Sequence, residues 1–383
     1  MRDTTLVKTR ALFLSFAALT TGCEPLADEF NFEREEVPIF ERSELVPPPV
    51  SAPSNLRVMA YNIKFGAART DFWFDYWGDQ VQLDYSVVAE NLGNIYALVR
   101  EADPDILIVE EIEVGSRRSA YYDMVAGMLE GTNLNYAAYI QTWQSRYVAS
   151  EGLGRVDMGN AIFSKYPITF AERIRQPDRT DISGLILTFY LHRMIGHAVV
   201  DIGNGRTVGV YGVHTEAYDR DGTKGRQIEQ IYTEVMADTM PFVLGGDFNE
   251  LPPTAVKIDN FPDEHPITQG TPYEQPPYTP EIMLPFYNDL TPWISLDEYG
   301  TTDEEQSKYY THSVIGPLTE GTNGQPGFWN RTLDYLFIPK NNAFEPGKSD
   351  VLQSPGRQGI KSDPLLLSDH APVIGTWIVG GAP

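Results

Sequence analysis

The sequence predicts an α/β protein in which sheets pack on each other and helices lie outside them. Three observations point there. Short apolar, β-branched segments recur along the chain between Gly, Asn and Pro punctuation. Only two stretches carry a helical repeat, and they are widely separated. Finally, 383 residues with 42% hydrophobic and 12% aromatic content supply one large core or two ordinary ones, which excludes a disordered or collagen-like chain.

Taken in order, Leu56 to Ile63 reads as a buried strand that ends on a polar residue, Asn62. Val88, Leu92, Ile95 and Val99 then recur at spacings of four, three and four, the repeat of a helix with one buried face, and Pro104 stops it. Asp105 to Ile112 reads as the next strand. Gly159 to Ser164, Leu185 to Leu191, Ala198 to Ile202 and Thr207 to His214 are further strands by the same criteria. Ile228, Ile231 and Val235 place one face of a second helix over Arg226 to Met236; strands Phe242 to Gly246, Leu333 to Ile338 and Ala371 to Val379 complete the series. Leu251 to Tyr310 is rich in Pro and lacks a period, and is read as a long surface excursion that is either functional or mobile.

The first residues are a targeting segment. Arg2, Lys8 and Arg10 precede an apolar run from Ala11 to Leu19 that is too short to span a bilayer, so residues 1–22 are expected to be a signal peptide. The run ends at Cys23, the only cysteine, in Leu19-Thr20-Thr21-Gly22-Cys23. This resembles a bacterial lipobox, with the departure that Leu19 lies four rather than three places before the Cys. The resemblance implies an exported lipoprotein acylated at Cys23 and held to the cell envelope by its lipid; a secreted protein with a simple cleaved signal is the alternative. Residues 23–55, acidic and Pro-rich, read as a disordered tether, and residues 56–383 as the globular domain. The formal charge of −24 argues against a scaffold that coats DNA. One Cys excludes a disulfide framework or a Cys-rich zinc site.

The chemistry is expected where polar residues end apolar strands, because a carboxylate there costs desolvation unless a cation or hydrogen-bond partner offsets it. These places are Asn62 in Tyr-Asn-Ile, Glu111 at the end of an apolar strand, His214 in Gly-Val-His-Thr, Asp247 and Asn249 in Gly-Gly-Asp-Phe-Asn, Asp334 in Leu-Asp-Tyr, and Asp369-His370 in Ser-Asp-His-Ala-Pro. In this order they resemble the motifs of the endonuclease/exonuclease/phosphatase superfamily over residues 56 to 379. The resemblance implies a four-layered α/β sandwich with two packed, mainly antiparallel β-sheets flanked by helices. It also implies a divalent cation, Mg²⁺ first and Mn²⁺ or Ca²⁺ as alternatives, on Glu111 with Asn62 and Asp369 beside it. His370 would take a proton from the attacking water, with Asp334 fixing its tautomer. Asp247 and Asn249 would orient the nucleophile and bind the phosphate, and His214 would donate to a phosphate oxygen or the leaving group. Glu110 departs from the pattern, since many members carry Gln there; it either strengthens metal binding or faces away on the strand's other side.

The expected activity is phosphoester hydrolysis by in-line water attack, on a phosphodiester such as DNA first and on a phospholipid or sphingomyelin head group, an inositol phosphate or another small phosphate ester next. A non-catalytic binding module on the same fold is the rival from another class. Taken singly, the bland readings are a turn for Asp-x-Asn and a structural role for His214. His192, His197 and His265 are read as surface or loop histidines, His312 as an exception close to the Asp334 strand, Arg226-Gln227 as a helix-surface pair, and Lys165 as either a basic family position or a solvated lysine.

Overall fold

A computed structural model describes residues 26–27, 30–47, 51–182, 184–217, 219–267 and 280–379. Cys23 and residues 1–22 lie outside them. Fifteen strands form two sheets among the described residues. One sheet runs β1 (Arg34–Glu36), β7 (Ile168–Arg175), β8 (Met194–Gly203), β9 (Arg206–His214), β10 (Phe242–Asp247), β12 (Asp334–Pro339) and β11 (Leu290–Pro292). The other runs β13 (Ala343–Phe344), β15 (Val373–Ile378), β3 (Asn55–Asn62), β4 (Ile106–Glu113), β6 (Gly154–Ser164), β5 (Tyr136–Val148) and β2 (Ile39–Glu41), with β14 (Asp350–Val351) also on β15. Neighbours are antiparallel except at β3–β4 and β9–β10, where the pairing is parallel. The expected sandwich is what the chain forms.

Alternation along the strands decides which side faces which layer. In β3 and β4, Val58, Ala60, Ile106 and Ile108 enter the core between the sheets, while Met59, Tyr61, Leu107 and Val109 enter a second core under the helices. Gly212 and Gly245 let the sheets approach: a Cβ on either would lie 3.0–3.1 Å from the Ile108 side chain. Helix α1 (Tyr85–Ala102) covers the second sheet with Val88, Leu92, Ile95 and Val99, together with α2 (Met124–Gly131) through Met124 and Met128. Full burial of each such side chain contributes about 1.5–3 kcal/mol. The α1 helix ends at Asp103 in the left-handed region, one residue before Pro104. On the first sheet, helix α4 (Thr223–Ala237) buries Ile228, Ile231 and Val235.

The structure departs from the sequence expectations in four places. The expected disordered tether is not disordered over 30–47: β1 pairs with edge strand β7 and β2 with edge strand β5, and Phe30 is buried beneath Arg173, whose guanidinium lies 5.1 Å from its ring. Five glutamates and two prolines interrupt that stretch, as charges and prolines do at many sheet edges, which hides the pairing. Leu185 to Leu191, expected as a strand, contains helix α3 (Gly184–Thr188); a short apolar run does not distinguish helix from strand, and Ile186 is exposed. Strands β5 and β7 and helix α2 were not expected. The excursion is partly built: residues 280–310 include α5 (Leu284–Asp289), edge strand β11, α6 (Leu296–Tyr299) and α7 (Asp303–Gln306). Among the described residues no helix is long and apolar enough to cross a membrane.

Candidate active site

Strand register gathers the polar strand ends. In the first sheet, His214 pairs with Asp247 across β9–β10, and Asp247 with Asp334 across β10–β12, so three chemically active residues stand side by side. In the second, Asn62 pairs with Glu110 across β3–β4, and Ser368-Asp369-His370 leads into β15, which lies beside β3. Glu111 needs a further device. By alternation its side chain would point under the helices, but a bulge between Val109 and Ile112 and a left-handed backbone at Glu111 (φ 56°) re-aim it. Gly246, with φ 132°, has no alternative residue: a Cβ there would lie 2.1 Å from the Val213 carbonyl oxygen and 2.7 Å from Glu110 Oε1.

Asp247 Oδ2 is the hub. The Asn62 amide donates to it and to Glu111 Oε1, both at 3.2 Å. His214 Nε2 lies 3.4 Å from it and His370 Nε2 3.6 Å. Asn249, in the left-handed region at φ 46°, donates from its backbone to Asp247 Oδ1 at 2.8 Å and from its side chain to the Thr215 carbonyl at 3.1 Å. His370 Nδ1 pairs with Asp334 Oδ2 at 2.8 Å. Asp369 is held differently: its Oδ1 accepts from Ser368 Oγ at 3.2 Å, and its Oδ2 is 3.3 Å from the Lys64 ammonium, which also meets Asp75 at 2.9 Å. Asn62, Glu111, His214, Asp247, Asn249, Asp334 and His370 are thus linked in one contiguous set. Asp369 joins it through His370, lying in one potential ligand group with His370 and His312.

The electrostatics show a site with more negative than positive charge. Burial and the Asp334 carboxylate push Asp247 up to about 7, against His370. Burial, with Asp369 and Glu111 nearby, pushes Asp75 up to about 6 against Lys64. Burial works against a charged His370, yet Asp334 and Asp247 outweigh it and raise the imidazole to about 10. Asp369 is held below the usual carboxylate range because Lys64, His370 and Arg69 outweigh its burial. His214 is pushed well down by burial and by Arg193 and His370, which keeps it neutral. An excess of hard oxygen donors, two of them with raised proton affinity, fits a divalent cation; Glu111 and Asn62, 3.2 Å apart, would hold it, while Asp369 stands in a group with His312 and His370.

Glu110 resolves on the other side of its strand. It shares the alternation of Ile106 and Ile108, is fully buried between the sheets, and neither carboxyl oxygen has a hydrogen-bond partner. Burial, then Asp334 and Asp247, raise its pKa well above the ordinary value, which favours its neutral form beneath the site.

The set opens into a cavity of about 290 Å³ walled by Phe65, Trp73, Trp143, Met158 and Leu191. His312 belongs to it: its ring centroid is 4.4 Å from that of His370, placed there by backbone bridges from His312 to Arg331 and His370. The other singled-out residues lie elsewhere. Contrary to expectation, His192 is buried and pairs with Asp178 at 2.7 Å, and His197 stacks on Tyr211 at 4.4 Å. His265 stacks on Tyr76 in a loop, as expected. Gln227 is buried, accepting from the Glu216 amide at 2.8 Å, whereas Arg226 stays on the helix surface. Lys165 pairs with Asp103 and Asp105 at 3.0 and 3.1 Å, at the end of β4 remote from Glu111. Sequence reasoning missed Lys64, Asp75, Arg118 and Arg193. Lys64, two residues after Asn62, was within reach; the others carry no local signal.

Two packed sheets that deliver carboxylates, amides and a His–Asp pair from their strand ends to one cleft define a hydrolytic site. The chain belongs to the Endonuclease/Exonuclease/phosphatase family, which matches residues 59–370, and members of that family are phosphoesterases. Among solved structures, an endonuclease/exonuclease/phosphatase from Beutenbergia cavernae DSM 12333 is similar with a TM-score of 0.53 and 18% identity, over 86% of this chain and 73% of that one. The human Nocturnin catalytic domain gives a TM-score of 0.48 at 16% identity, over 86% and 96%. A mannosyl-6-phosphatase from Bacteroides thetaiotaomicron VPI-5482 gives 0.48 at 15%, over 84% and 99%. A comparison with curated proteins finds no match.

Proposed function

We propose that this protein is a divalent-metal-dependent hydrolase of compact phosphoesters that works by in-line attack of water, without a covalent enzyme intermediate. The observation that supports it above all is the hub at Asp247 Oδ2, where Asn62, His214, Asn249 and His370 meet and Asn62 reaches on to Glu111. In this reading Asp334 fixes the His370 Nδ1 proton, and a cation held beside the carboxylates would offset the charge that keeps the imidazole protonated without it, freeing Nε2 to take the proton of the attacking water beside Asp247. Asn249 and Asp247 orient that water, and neutral His214 donates a hydrogen bond to a phosphoryl oxygen or the leaving group. Glu111, Asn62 and Asp369 would hold a divalent cation, which would supply positive charge to offset that of the phosphoryl group.

The cleft's size and apolar walls, with the −24 charge, favour a small organic phosphate ester over duplex DNA; phospholipid head groups and inositol phosphates fit the same chemistry. A binding module without activity is disfavoured, since Glu111, Asp247 and His370 are all present. We also propose that the chain is exported and lipid-anchored at Cys23, on the strength of its basic start, apolar run and single cysteine. The test is a panel of aryl, sugar, inositol and choline phosphoesters and plasmid DNA, assayed with Mg²⁺, Mn²⁺, Ca²⁺ or EDTA. Turnover of small esters that EDTA abolishes supports the reading; turnover of plasmid alone overturns its substrate preference, and metal-independent turnover overturns its chemistry.

A further inference from the structure

Three arginines line the cleft, and two of them donate hydrogen bonds to carboxylates. Arg118 binds Glu113 at 2.7 Å and the Met158 sulfur at 3.0 Å, with its guanidinium 3.8 Å above the Phe65 ring. Arg331 binds Asp263 at 3.0 Å and Glu264 at 2.8 Å. Arg193, one residue before β8, is as buried as Arg118, yet its guanidinium makes no hydrogen bond among the described residues, and its Nε is enclosed without a partner. The nearest acid, Glu216, is 3.9 Å from that Nε, beyond hydrogen-bond range, and is already taken by Tyr190 Oη at 3.1 Å and approached by Arg179 at 3.7 Å. A guanidinium carries five N–H donors in a fork matched to tetrahedral oxyanions, and burying it with those donors unsatisfied, beside one carboxylate at ion-pair distance only, lowers stability unless an anion arrives.

We infer that Arg193 is a substrate-binding residue that grips the oxygens of the phosphoryl group in this cleft, next to His214. The inference deepens the phosphoesterase reading and rests on it for the identity of the anion, but its test does not need turnover. Wild type and Arg193→Gln, both with intact Glu111 and His370, are titrated calorimetrically with inorganic phosphate, in Mg²⁺ and again in EDTA, and melted without phosphate. The expected result is phosphate binding weakened at least about tenfold by Arg193→Gln, partial recovery in Arg193→Lys, and a melting temperature close to that of wild type, because Arg193 makes no hydrogen bond to the protein and Glu216 keeps Tyr190 and Arg179 when its long ion pair with Arg193 is lost. Undiminished phosphate binding overturns the inference, as does a wild type that binds no phosphate under either condition. A variant that melts lower while binding phosphate normally makes Arg193 a structural partner of Glu216 and overturns it too. If no phosphoester is turned over but phosphate binding still depends on Arg193, the hydrolase reading fails and this site stands.

Discussion

The Asp334–His370 pair shows how much a single contact controls. At 2.8 Å the carboxylate fixes which ring nitrogen carries the proton and raises the affinity of the imidazole for it. Replacing Asp334 by Asn keeps the shape and removes the charge, so kcat/KM is expected to fall by about 100-fold or more. The His370 pKa, followed by NMR in EDTA, is expected to drop from its raised value; an unchanged titration would remove Asp334 from its positioning role. Glu110 offers a second residue-scale prediction. Its folded pKa lies above its unfolded one, so its contribution to stability is complete below about pH 4.3 and is lost as pH rises toward the folded value. Glu110→Gln is therefore expected to raise the melting temperature more at pH 8 than at pH 4, and equal shifts would contradict a neutral buried acid. At this scale legibility was uneven. Asn62, Asp247, Asp334 and His370 announce themselves as polar ends of apolar strands, whereas the aim of Glu111 depends on a bulge, and Arg193 on a cleft formed by segments distant in sequence.

At the scale of elements, the cores explain why the strand ends hold still. Leu92 fills the space between α1 and the turn at Gly66, whose Cα hydrogens face the Leu92 methyls at a distance a Cβ would reduce to 3.1 Å. Leu92→Ala is expected to cost about 2–5 kcal/mol in urea unfolding and to loosen the turn that carries Lys64. A loss below about 1 kcal/mol would mean the helix is not clamped there. Gly246→Ala meets the Val213 carbonyl in a backbone region closed to side chains, and a loss of about 3 kcal/mol or more is expected. Elements with a sustained period were legible: α1, α4 and the strands ending at Asn62, His214 and Asp247 lie where spacing put them. The edges were not, because β1 and β2 hide in acidic, Pro-rich sequence and the apolar run around α3 satisfies helix and strand alike.

At the scale of the molecule, the sandwich is a means of bringing two sets of strand ends to one edge. The second sheet brings Asn62 and Glu111, the first His214, Asp247 and Asp334, and the return into β15 brings Asp369 and His370. The order of motifs along the chain carried this information; the closeness of the sheets did not, since it depends on Gly212 and Gly245 facing Ile108. With a lipid anchor at Cys23, the full chain is expected in the membrane fraction of a bacterial host and Cys23→Ala in the soluble fraction, as followed by immunoblot, and identical fractionation would remove the anchor. The central claim is that Glu111 makes this cleft a metal-dependent phosphoesterase. It is tested most directly by initial rates of aryl phosphoester hydrolysis against Mg²⁺ concentration for wild type and Glu111→Ala. A saturable Mg²⁺ requirement that is lost, with activity, in the folded variant is the predicted result; equal rates from the two proteins, or a wild-type rate indifferent to EDTA, would contradict it.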